Sequence, residues 1–269
     1  MSIDQDGFLS SNEIEQVRQQ FRNEFPEIFG HVTAMNQLAQ SIMPSIGALP
    51  RTPKNLFASA YYIRGPQDLQ AAVLMAERGM FTEAYTLTRS GLETVFYLGA
   101  ATRGKDFARE VGQDHVQRSR VMGRDHIAGL KAMDPNADIG ELEEAVEKMM
   151  MQGVDPASLQ ILAVARKAEL EPLYQTLYRQ FSNGYAQPTL TSLGMVWDPD
   201  EEGVPKGVLW GPHRGRHDEI VATLVMVVAI YKQLIFEWLR EYKTSGGLEQ
   251  LHEISERYTV FLNKWQEAK

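Results

Sequence analysis

The stretch "FTEAYTLTRSGLETVFYLGAATR", residues 81–103, decides the fold. Leu87, Gly91, Leu92, Val95, Phe96 and Leu98 recur at helical spacing and Gly104 ends the run, so the spacing predicts a helix from Phe81 to Gly104. Before it, a second helical stretch runs from Leu56 to Gly79 and is interrupted or kinked at Gly65-Pro66; after it, a third runs from Lys105 to about Met133. The connections are a few residues long, so these helices are expected to be antiparallel neighbours.

The flanking segments read the same way. Ser10 or Ser11 caps a first helix that breaks at Pro26, with Glu13 placed as the return partner of a capping box. A second helix, "HVTAMNQLAQSIM", ends at Pro44, and "PSIGALPRTP" is a linker. After the loop "DPNADIG" come a charged helix containing "ELEEAVEKMMM" and then "ASLQILAVARKAELEPLYQTLYRQF", one or two helices ending at Asn183-Gly184. Residues 184–216 form the long non-helical part, with "LGMVW" and "KGVLW" flanking "DPDEEGVP" as a small hairpin. A long helix starts near Arg216, with Asp218 and Glu219 in its first turn, and runs to about Tyr242; an amphipathic helix follows "TSGG". The expected fold is an all-α antiparallel helical bundle with one long loop excursion and a small β-hairpin near 184–216. Residues 1–53 supply N-terminal helices and a linker, 54–243 the main bundle, and 244–269 a C-terminal helix packed on it.

The 269 residues are 43% hydrophobic and 23% charged, an ordinary composition for a soluble globular protein. A net charge of -8 and the lack of any long lysine and arginine run disfavour nucleic acid as a bulk electrostatic partner. There is no cysteine, which excludes disulfides, a thiol nucleophile and thiolate zinc sites. The opening "MSIDQDGFLSSNE" lacks the basic flank and apolar segment of a signal peptide. The longest apolar run, "IVATLVMVVAIY" from Ile220 to Tyr231, is too short to span a bilayer and reads as a core helix. A cytoplasmic protein without membrane contact is expected.

Several motifs invite a chemical reading. Ser2, Asp4, Asp6, Gly7, Leu9 and Glu13 fall at calcium-loop spacing, but the first ligand is serine and no incoming helix holds the loop, so a capped tail is the better reading. His213 and His217 stand beside Arg214 and Arg216, which repel a cation, and Glu249 with His252 is a lone Glu-x-x-His where a di-iron bundle needs two. Neither metal nor cofactor is expected. Arg109 with His115, and Arg120 with His126, each with five intervening residues, are similar to the arginine–histidine signature of HEPN ribonucleases, in which arginine neutralises phosphate while histidine moves a proton. A solvated basic helix face explains the same residues.

The strongest chemistry is Arg89 and Glu93, four apart in an otherwise apolar helix. They share a face, and if buried they must be paired. Tyr178 and Ser182, also four apart, share a face of another helix.

Together, "LTRSGLETVFYL" and "LEPLYQTLYRQFSNGYAQPT" resemble a widespread bacterial helical family of unknown function. Its pattern is an arginine–glutamate element on one helix, then Leu-Tyr and Ser on another, ending in His-Pro-Ser. The resemblance extends from about Leu56 to Trp238 and implies an all-helical fold. It places the family's arginine and glutamate on Arg89 and Glu93, its tyrosine on Tyr178 and its serine on Ser182. The histidine is absent: Gln187 stands before Pro188-Thr189 and cannot shuttle a proton near neutral pH. The expectation is therefore a binding or regulatory module, with a homodimer as its assembly, that recognises a small polar ligand or a protein partner. Arg89 would hold an anionic group, and Glu93, Tyr178, Ser182 and Gln187 would complete the site. The alternative is a HEPN-like, metal-independent ribonuclease of a toxin or phage-defence system, acting on RNA through the arginine–histidine pairs.

Overall fold

A computed structural model describes residues 7–151, 158–200, 202, 204–209 and 211–267. The helices are α1 (Ser11–Glu24), α2 (Pro26–Ile46), α3 (Pro53–Ala76), α4 (Phe81–Arg103), α5 (Phe107–Met133), α6 (Gly140–Met151), α7 (Ile161–Lys167) and α8 (Glu171–Leu173). A π-helical turn, Tyr174–Tyr178, then leads into α9 (Arg179–Gly184). After α10 (Leu190–Gly194), the strands β1 (Trp197–Pro199) and β2 (Pro205–Val208) precede α11 (His217–Tyr242) and α12 (Gly247–Glu267). The all-α bundle with a small hairpin is as the hydrophobic spacing predicts.

α3 and α4 pair along their length, and α11 lies across both while also packing on α2. Trp238, Tyr231, Tyr62 and Phe96 are fully enclosed where these helices meet. The same apolar cluster takes in Val17 and Phe21 of α1 and Leu251 and Tyr258 of α12. Each fully buried aromatic side chain removes enough apolar surface to stabilise the fold by about 1.5–3 kcal/mol. By length and composition α11 could cross a membrane, because the helix extends past the twelve-residue run; more than half of its most apolar window is buried in the bundle.

Several boundaries differ from the reading above. α3 is continuous through Gly65-Pro66: a side chain at position 65 would meet Leu234 at 2.7 Å, so glycine lets α11 approach, and the Pro66 carbonyl accepts a hydrogen bond from the Tyr231 hydroxyl at 3.3 Å. α2 carries Pro44 inside its last turn and ends at Ile46. The excursion is partly helical. Thr189 caps α10 by accepting from the Ser192 N–H at 3.3 Å. Only Trp197 of "LGMVW" enters the hairpin, opposite Val208. α5 packs chiefly on α6 and buries Phe107, Asp114 and Arg120 alone, so it leans away from α4.

Candidate functional site

α4 carries Tyr85, Arg89, Glu93 and Tyr97 at four-residue intervals, a spacing that keeps them on one slowly drifting stripe. Facing that stripe is the chain from Tyr174 to Tyr185. The π turn there adds one residue to a helical turn and so re-phases the helix. The Tyr174 and Tyr178 rings stack at 4.9 Å, and Tyr178 meets Phe96 edge-on at 6.1 Å. Tyr178 is thereby packed down to 7% exposure.

At the centre the four polar residues close on one another. Arg89 Nε donates to Ser182 Oγ at 2.7 Å, and Nη2 donates to Tyr178 Oη at 2.7 Å and pairs with Glu93 Oε1 at 2.7 Å. Tyr178 Oη donates in turn to the same Glu93 oxygen at 2.8 Å. The guanidinium also lies 5.0 Å from the centre of the Tyr178 ring. Burial pushes the Tyr178 phenol above its ordinary range, against the pull of its hydrogen bonds with Arg89 and Ser182. The cluster is not sealed: the Arg89 and Glu93 side chains keep 29% and 27% of their surface. Among the described residues, Arg89 Nη1 and Glu93 Oε2 have no hydrogen-bond partner, and neither is among the sealed polar atoms, so both face solvent.

The stripe is anchored at both ends. Tyr85 stacks on Tyr185 at 4.1 Å and donates to Glu219 Oε2 at 2.8 Å. Tyr97 packs on Tyr61 at 5.2 Å. Close by, Arg118 of α5 donates to Asp114 Oδ2 at 2.6 Å, while the other Asp114 oxygen accepts from the Leu159 N–H at 2.8 Å.

Of the residues singled out from sequence, Arg89, Glu93, Tyr178 and Ser182 therefore converge. Gln187 does not join them. It is exposed and takes part through its carbonyl, which accepts from Ser192 Oγ at 2.6 Å and ties the loop to α10. Arg109, His115 and His126 are exposed on α5, whereas Arg120 is buried at 6% exposure and has partners of its own. Positions six apart on a helix diverge by about 120°, so within one chain each arginine points away from its histidine.

His213 is buried against Phe81, while exposed His217 pairs with Glu24 at 3.3 Å. Among the described residues no three His, Asp or Glu side chains gather as a metal site. Of the calcium-loop positions, Ser2, Asp4 and Asp6 lie outside the described residues; Gly7–Leu9 form a 3-10 turn, and Ser10 caps α1 by accepting from the Glu13 N–H at 3.5 Å.

Sequence reasoning missed the roles of Tyr85 and Tyr97, although their four-residue spacing from Arg89 and Glu93 is visible. It also missed Asp68. That buried carboxylate of α3 accepts from Ser90 Oγ at 3.0 Å and from Arg64 Nε at 3.2 Å, locking α3 to a neighbouring face of α4.

The fold and cluster define an all-helical protein with a polar constellation spanning two helices. The model of a family of unknown function, DUF5677, matches residues 56–204, and the chain belongs to that family. The matched segment holds all four converging residues and stops short of α11, to which the sequence resemblance extends. No curated protein and no solved structure matched the chain.

Proposed function

We propose that this protein is a binding or regulatory module whose site is the cluster of Arg89, Glu93, Tyr178 and Ser182, recognising a small polar ligand or a segment of a partner protein. One observation carries the reading: the ion pair is held rigidly by a buried tyrosine and a serine from another helix, yet more than a quarter of each charged side chain stays open. A purely structural cross-link gains nothing from that opening, whereas a recognition site needs both the rigidity and the free edge. The same reading keeps the protein in the cytoplasm and admits a homodimer. Thermal melting against a panel of small polar compounds tests it. A compound that stabilises the wild type should fail to stabilise Arg89→Ala while that variant retains its helical circular dichroism. An Arg89→Ala protein that is simply unfolded would show the cluster to be structural.

A ribonuclease needs an arginine and a histidine open on one surface. Arg120 is buried, so Arg109 with His115 is the pair left to examine. Incubation with single-stranded RNA in EDTA should leave the RNA intact, and cleavage by wild type that disappears in His115→Ala would reverse that assignment.

A further inference from the structure

The unused atoms of the cluster say which chemistry it takes, given the reading of that cluster as a binding site. Arg89 commits Nε to Ser182 and Nη2 to Tyr178 and Glu93, leaving the two N–H bonds of Nη1. Glu93 commits Oε1 to Arg89 and Tyr178, leaving Oε2. What stays open is therefore a pair of donors and an acceptor carried by one ion pair, both charge-assisted, with their other atoms tied to Ser182 and Tyr178. It carries no net charge, because the carboxylate lies 2.7 Å from the guanidinium. A further cation near Glu93 and Tyr97, Arg118, is neutralised in the same way by Asp114 at 2.6 Å.

We propose that the site recognises a neutral amide-type edge, a carbonyl next to an N–H, as in a primary carboxamide, a lactam or a pyrimidine base, and that it discriminates against anions. A carbonyl would accept from Arg89 Nη1 while the adjoining N–H donates to Glu93 Oε2. A phosphate or carboxylate placed at Nη1 would bring its charge against the free carboxylate oxygen and meet no uncompensated cation. The half-buried rings of Tyr97, one turn beyond Glu93, and of Tyr174, stacked on Tyr178, flank the cluster and suit a planar group.

The test is a titration of the full chain, followed by nuclear magnetic resonance of the Arg89 Nε–H signal. Uracil and nicotinamide are the amide probes; acetate and inorganic phosphate at matched ionic strength are the anions. The amide probes should shift the signal saturably and the anions should not. In Glu93→Gln, uracil and nicotinamide should bind about tenfold more weakly, and acetate should now bind because Arg89 has lost its counter-charge. Saturable binding of acetate or phosphate to the wild type, with none of the amides, would overturn the ligand class and leave the site a binding site. Absence of any saturable shift with all four probes at millimolar concentration would overturn both.

Discussion

The hydroxyl of Tyr178 stands between Arg89 and Glu93, accepting from the first at 2.7 Å and donating to the second at 2.8 Å. It makes an ion pair within α4 into a contact between two helices.

Tyr178→Phe keeps the stacking on Tyr174 and the edge contact with Phe96 but deletes both hydrogen bonds. Because Arg89 and Glu93 still pair directly and reach water, the loss should be about 1 kcal/mol, measured by urea unfolding. A loss well above about 3 kcal/mol would mean that the hydroxyl holds the bundle together.

Glu237 is a different kind of charge. It is wholly buried on α11, where Arg103 donates through both Nη atoms, Gln233 donates at 2.7 Å and Arg240 approaches at 3.4 Å. Glu237→Ala takes from Arg103 its buried counter-charge, leaving it the exposed Glu169 at 3.3 Å and the Gly99 carbonyl, and should destabilise by about 3 kcal/mol. Glu171→Ala, which breaks the solvent-screened surface pair with Arg166 at 2.9 Å, should leave the melting temperature nearly unchanged. Equal effects in calorimetry would contradict the distinction.

His213 makes stability depend on acid. The residue is 8% exposed and its Nδ1 has no partner among the described residues; burial, with Arg216 nearby, lowers its pKa from 6.5 to about 4. Between those values the unfolded chain binds a proton that the folded chain does not, so this contribution is fully present above pH 6.5 and is lost as the pH falls toward 4. The loss is at most roughly 3 kcal/mol. His213→Phe should flatten the stability profile in that window, and an unchanged slope would exclude His213 as its source.

Gly79 sits at φ +74°, and a side chain there would lie 2.7 Å from the backbone nitrogen of His213. Gly79→Ala meets both the left-handed penalty and a clash with main chain, so a loss of about 1–3 kcal/mol is expected. Gly112→Ala, on α5 with open space around it, should instead stabilise by about 0.5–1 kcal/mol. Thermal melting of the two variants in opposite directions checks both.

The helices were legible because their apolar spacing and their terminating glycines and prolines act locally. Arg89 with Glu93, and Tyr178 with Ser182, were legible for a related reason: each pair lies one turn apart on its own helix. Their meeting was legible through the family resemblance and not through spacing, since Arg89 and Ser182 are brought together by packing across 93 positions. Pro44 and Pro66 misled because tertiary contacts and a position near a helix end absorb the lost hydrogen bond. Gln187 misled because it works through its carbonyl, which every residue type carries. Nothing in "YQTLY" announces a π turn, a feature that arises from the hydrogen-bond register rather than from any one side chain.

That π turn makes the site depend on a count as well as on identities. Winding Tyr174–Tyr178 as regular α-helix at unchanged length, a change that only the loss of one residue there would offset, would leave every cluster side chain still in the chain. It would also rotate all that follows by about 100° relative to what precedes it and carry Ser182 off Arg89. A chain of this family could therefore keep arginine, glutamate, tyrosine and serine and still lack the constellation, so the length of the segment joining α8 to α9 is as informative about the site as the four letters themselves.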